Sequence, residues 1–127
     1  MILFEALETD GTGVLSGWRI PAKLRARLDS KLTLLLQHPL DTVFKMEAFL
    51  RTEGDASIRK VKVKSNVQLR PLFCKGPING EGEVTFLLRA KEVQSGWVPV
   101  DAIAQAGKRR TEIVAGQRGR KEYVPTQ

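Results

Sequence analysis

Ile58-Arg59-Lys60-Val61-Lys62-Val63-Lys64, Val67-Gln68-Leu69-Arg70-Pro71-Leu72-Phe73 and Val84-Thr85-Phe86-Leu87-Leu88-Arg89-Ala90-Lys91 share one pattern. Apolar and polar residues alternate with the period of a half-buried strand. Ser65-Asn66 between the first two is short enough for a hairpin turn, and 75–82, rich in glycine, reads as a loop. Paired as an antiparallel meander with their apolar faces together, the segments put Lys60, Lys62, Lys64, Gln68, Arg70, Thr85, Arg89 and Lys91 on the other face. Only Glu83 brings negative charge into that register. Pro71 cannot donate to a ladder, so it marks an edge, a bulge or an irregular strand.

Outward from the meander, Ile2-Leu3-Phe4-Glu5-Ala6-Leu7 reads as a strand, and Thr9-Asp10-Gly11-Thr12-Gly13 as a turn. Pro21 suits a first helical turn, and Leu24, Leu28, Leu32, Leu35 and Leu36 recur at helical spacing, which predicts an amphipathic helix over 21–38. Pro39 ends it. The stretch 40–50 is a short second helix or a loop, and Gly96-Trp97-Val98-Pro99 a connection. A last helix runs from about Pro99 to Ala115, with Gly116 as its stop. The fold class is α+β: an N-terminal strand and an antiparallel meander with helices packed on one face. Residues 1–116 form the single expected domain, and 117–127 a mobile basic C-terminal tail.

The charge is one-sided. Residues 1–55 hold 7 Lys/Arg against 8 Asp/Glu, and residues 56–127 hold 14 against 6. Such a balance favours a polyanionic partner, RNA or DNA ahead of a membrane, because no amphipathic segment joins a basic face to large aromatics. Candidate contacts are Lys60, Lys64, Arg89, Arg109, Arg110, Arg118, Arg120 and Lys121. The longest apolar runs are far below the roughly 20 residues of a membrane span, and no secretory signal is visible, so the expected location is the cytoplasm. Cys74 and His38, the sole cysteine and histidine, supply too few soft ligands for structural zinc. Neither a phosphate-binding glycine loop nor a nucleophile triad is present, and no cofactor or metal is expected. What remains is a surface of Lys and Arg, which can bind a phosphodiester and stabilise the charge that builds on phosphorus when an RNA 2′-OH attacks.

The order strand, helical region, meander, terminal helix resembles that of the RelE/HigB-like toxins of bacterial and phage type II toxin–antitoxin modules. The resemblance rests on Arg25-Ala26-Arg27-Leu28, Ile58-Arg59-Lys60-Val61-Lys62, Leu69-Arg70-Pro71-Leu72-Phe73, Thr85-Phe86-Leu87-Leu88-Arg89-Ala90-Lys91-Glu92, and Pro99 and Ala102 through Ala106 to Arg109 and Arg110. It implies a RelE-like fold and a metal-independent ribonuclease that cleaves messenger RNA on the ribosome and is neutralised by an antitoxin. Arg70 stands at the family's strand arginine and Lys91 at one of its paired lysines. Lys60 or Lys62 takes the basic position of the preceding strand, with Lys62 in the catalytic set, and Tyr123 is the remaining counterpart of a terminal catalytic tyrosine or histidine. Ala90 and Glu92 stand where the family carries an aromatic ring and a second cation. The alternative is a non-catalytic module of the same fold, phage-encoded or not, that binds nucleic acid or protein.

Overall fold

The computed structural model describes residues 1–125. Along these, β1 (Ile2–Ala6) is followed by α1 (Ala22–Gln37), α2 (Leu40–Val43), β2 (Phe49–Arg51), β3 (Arg59–Val61), β4 (Gln68–Leu69) and β5 (Leu72–Lys75). After a 3₁₀ turn come β6 (Glu83–Leu88), β7 (Lys91–Val93), β8 (Gly96–Val98), α3 (Ala102–Val114) and β9 (Arg120–Glu122). A six-stranded sheet has the order β2-β3-β5-β6-β1-β9, and a smaller one β4-β7-β8. Among the described residues only β1 and β6 pair in parallel; the other ladders are antiparallel. The class is α+β, with the expected meander present as β3-β5-β6.

α1 forms for the expected reason. Its stripe Leu24, Leu28, Leu32 and Leu35 is buried, each side chain contributing roughly 1.5–3 kcal/mol. The stop is steric: the residue before a proline is driven out of the α region, and His38 has φ −133° and ψ 152°.

Helices cover both faces of the large sheet, not one. The Phe73 and Phe86 rings lie 5.1 Å apart on the first face. Leu3, on the same side as these, is followed across the sheet by Tyr123, whose hydroxyl reaches Asp29 of α1. α3 packs over β5 and β6 from the second face, where Cys74 pairs with Thr85. β6 is therefore buried at every position. Thr85, expected on a solvated face, is fully enclosed: its hydroxyl donates to the Gly76 carbonyl at 2.6 Å and accepts from Arg120 at 3.0 Å. A threonine that finds both partners loses little on burial, so alternation alone does not reveal the covered face.

Three further segments differ from the expectation. Pro71 splits the second stretch into β4 and β5, which join different sheets, and the β5–β6 register shifts between Leu72 and Phe73. Residues 40–50 give one helical turn and then strand β2, while Gly96–Val98 is strand β8 of a hairpin with β7. The tail is no free arm: β9 pairs with β1, Tyr123 donates its N–H to the Leu3 carbonyl at 2.8 Å, and its ring is buried. Of the expected tail, positions 126 and 127 lie outside the described residues.

Gly13 and Gly116 are among the positions where geometry calls for glycine. A Cβ on Gly13 would lie 1.9 Å from Glu5 Oε1, because this loop wraps a buried carboxylate that accepts from the Leu15 and Ser16 N–H groups. Gly116, at φ +74°, ends α3 as expected.

Candidate nucleic-acid interface

Edge strand β2 leaves one side of the large sheet unpaired, and an open groove of about 640 Å³ runs around it. Phe44, Lys45, Arg51 and Arg59 line it from one side, and Lys60, Glu92 and Trp97 from the other. Arg59 and Lys60 reach opposite sides because successive strand residues do. The groove thus combines cations with aromatic rings, the pairing that single-stranded nucleic acid needs for its phosphates and bases.

At one end, the small sheet delivers Glu92 from β7 beside Trp97 of β8, its cross-strand partner. Lys60 Nζ donates to Glu92 Oε1 at 2.7 Å and Arg70 Nε donates to the same oxygen at 3.1 Å. Lys60 also lies over the Trp97 ring, 5.4 Å from its centroid. Burial works against the Glu92 charge, but the Lys60 hydrogen bond and the two cations outweigh it and hold its carboxyl below the ordinary range. At the other end, the Arg59 guanidinium stacks 3.9 Å from the Phe44 centroid and donates through NH1 to the Phe44 and Phe49 carbonyls.

The residues singled out in the sequence are dispersed. Lys60, Arg70 and Lys91 share the neighbourhood of Glu92, since Leu69 pairs with Lys91 and Gln68 with Glu92. Arg70 points inward, only 6% exposed, donating also to the Val63 and Leu69 carbonyls and to Gln68. Its expected place on a solvated face gives way because Pro71 breaks the alternation. Lys62 meets Glu47 at 3.5 Å. Lys64 and Lys121 are exposed, with no acidic partner among the described residues. Tyr123 sits at the far edge: β9 is four strand spacings from β3, on the order of 19 Å. Its hydroxyl is engaged by Asp29 and Arg25, so it shares no site with Lys62 or Arg70.

Most of the remaining arginines act as internal struts. Arg89 donates to the Val14 and Gly13 carbonyls at 2.8 and 3.0 Å. Arg109 grips both Glu8 oxygens and the Leu87 carbonyl, its hydrogen bond drawing the Glu8 carboxyl below its ordinary range. Arg118 binds Glu112 and the Leu7 carbonyl. Arg120 binds Glu83 and Thr85 and stacks 3.8 Å from the Phe4 centroid. Arg110 is partly buried near Cys74, and among the described residues its Nε has no hydrogen-bond partner. Burial pushes the Cys74 thiol up to about 12, in keeping with a packing role.

Lys45, Arg51, Arg59 and Trp97 are groove residues outside the sequence candidates, and Glu92 was expected only as the place of a missing cation. A hairpin signal at 91–98, with Gln94 and Ser95 as the two turn residues, was the available clue; both have positive φ. No group of three or more metal-ligating side chains occurs among the described residues, and none of their helices is long and apolar enough to cross a membrane. No family model, no curated protein and no solved structure matches this chain.

Proposed function

We propose that the protein is a toxin-type ribonuclease that takes single-stranded messenger RNA into the groove around β2. The observation that carries this reading is the convergence of Lys60 and Arg70 on one oxygen of Glu92 beside Trp97. Ionised Glu92 has the charge to take up a proton, as a weaker base than a carboxylate without such partners, and the cations beside it stabilise charge developing on phosphorus. In the proposed step the RNA 2′-oxygen attacks the adjacent phosphorus and its proton passes to Glu92. The bond from phosphorus to the 5′-oxygen breaks, and that oxygen takes a proton from water. The products are a 2′,3′-cyclic phosphate and a 5′-hydroxyl end. The resemblance to RelE/HigB-like toxins supplies the wider setting: a RelE-like domain acting in the cytoplasm on messages at the ribosome, with an antitoxin as protein partner and no cofactor.

The test is cleavage of a short RNA, free and on ribosomes, in EDTA, beside the same strand with deoxyribose at the scissile position. Cleavage of the first alone, slowed on the order of 10²-fold or more in Glu92→Gln with RNA binding retained, is expected. Intact RNA in every arm overturns the enzyme. A second reading, a non-catalytic module that binds nucleic acid, is favoured by Arg70 having its donors occupied within the protein.

A further inference from the structure

Arg51 and Arg59 stand directly opposite each other on the antiparallel strands β2 and β3, so their side chains leave the same face. Like charges in that position repel. Neither has a carboxylate within ion-pair distance among the described residues, although the protein pairs Lys60, Arg70, Arg109, Arg118 and Arg120 with acids. Arg59 is 9% exposed, and among the described residues its hydrogen bonds run from NH1 alone, to two carbonyls. Burial, and then the charge of Arg51, make its cationic form harder to hold than usual. The Phe44 ring lies under the guanidinium, and Lys45, next to Phe44 in the chain, also lines the groove.

We infer that Arg51 and Arg59, with Lys45 at the rim, form a phosphate subsite of the groove. An anion between the two guanidinium groups turns a repulsive cross-strand pair into a bridged one, and a planar fork held over a ring is suited to bidentate contact with phosphate oxygens. The ligand class is a phosphodiester of single-stranded nucleic acid, a second phosphate on the strand whose neighbour lies at Lys60. The subsite deepens the ribonuclease reading and rests on it for the identity of the strand.

Three measurements on the full chain test it. Inorganic phosphate, titrated at low salt and followed by the arginine Nε–H and β2 amide resonances, is expected to give saturable shifts at Arg59 and Arg51. Arg51→Gln should weaken phosphate binding about tenfold, whereas Arg51→Lys keeps part of it. With a short single-stranded RNA, Arg51→Gln should lower the slope of log affinity against log salt by about 0.7, the loss of one phosphate contact. Arg51→Glu, which removes the repulsion, should melt no lower than the parent and yet fail to bind phosphate, so that failure to bind is separated from failure to fold. Shifts that do not saturate, or an Arg51→Gln protein that binds phosphate and RNA as the parent does, would overturn the subsite. If the parent binds phosphate here but cleaves no RNA, the subsite stands and the ribonuclease falls. If RNA is cleaved with KM unchanged in Arg51→Gln, the ribonuclease stands and the subsite falls.

Discussion

The Tyr123 hydroxyl donates to Asp29 Oδ1 at 2.5 Å and accepts from Arg25 NH1 at 3.3 Å, fastening the segment after β9 to α1. This bond joins the last strand of the sheet to a helix 94 residues earlier in the chain.

Tyr123→Phe removes the hydroxyl while keeping the ring, so the bond to Asp29 and the acceptor for Arg25 are both lost. A loss of about 1–2 kcal/mol is expected in urea unfolding. RNA cleavage should stay within twofold of the parent, because the groove lies at the opposite edge; a tenfold fall would return Tyr123 to the site. Burial, then the bond to Asp29, push the phenol up to about 12 from an ordinary 10. The folded state therefore favours the neutral phenol. That stabilisation is complete below pH 10 and is lost as pH rises from about 10 to 12, a dependence that Tyr123→Phe should abolish.

Glu83 gives the opposite pH signature. Burial opposes its charge, but Arg120, Asn79 and the Ile78 N–H outweigh this and bring the carboxyl down to about 2 from 4.5. The stabilisation is present above pH 4.5 and disappears as pH falls toward 2. Glu83→Gln leaves the largely buried Arg120 without its counter-charge, so a loss of roughly 3–5 kcal/mol is expected, with a flatter acid limb in stability against pH. An unchanged midpoint at pH 7 would show that water compensates Arg120.

Phe86→Ala tests the packing of the central strand. Its ring packs 5.1 Å from Phe73, which also contacts Phe44 and Phe49. The expected cost is about 3–5 kcal/mol by calorimetry or denaturant. A change below about 1 kcal/mol would mean that the aromatic cluster collapses around the gap.

The alternation Val84, Phe86, Leu88 was legible because one period of two runs through an unbroken strand. It said nothing of the face of Thr85, since a buried threonine and a solvated one look alike until Gly76 and Arg120 are placed beside it. Arg70 was misplaced for a related reason: Gln68 and Leu69 before it are exposed and buried as expected, but at Arg70-Pro71 the chain passes from the small sheet to the large one and the period of two does not carry across. The charge excess was read correctly as a sum and misleadingly as a surface. Arg89, Arg109, Arg118 and Arg120 turn inward to carbonyls and carboxylates from distant segments, partners that no local pattern reveals. The pair Arg51–Arg59 was hidden because β2 is three residues long and follows a helical turn. Its meaning arises only once the hairpin sets the two opposite each other.

Arg70 separates a positioning role from a merely structural one. Arg70→Gln leaves the buried Val63 and Leu69 carbonyls short of a donor, so stability should fall by about 1–3 kcal/mol. Lost activity alone therefore decides nothing. The discriminating quantity is the pH profile of kcat/KM for RNA cleavage. Glu92 must be ionised to act as base, and Arg70 is one of the cations that lower its pKa. Removing that cation raises the Glu92 pKa, so the acid limb should move to higher pH, and Arg70→Lys should restore part of the displacement. A strut with no bearing on Glu92 would lower stability and leave the limb in place; that result would remove Arg70 from the reaction and leave Lys60 as the cation bonded to the base.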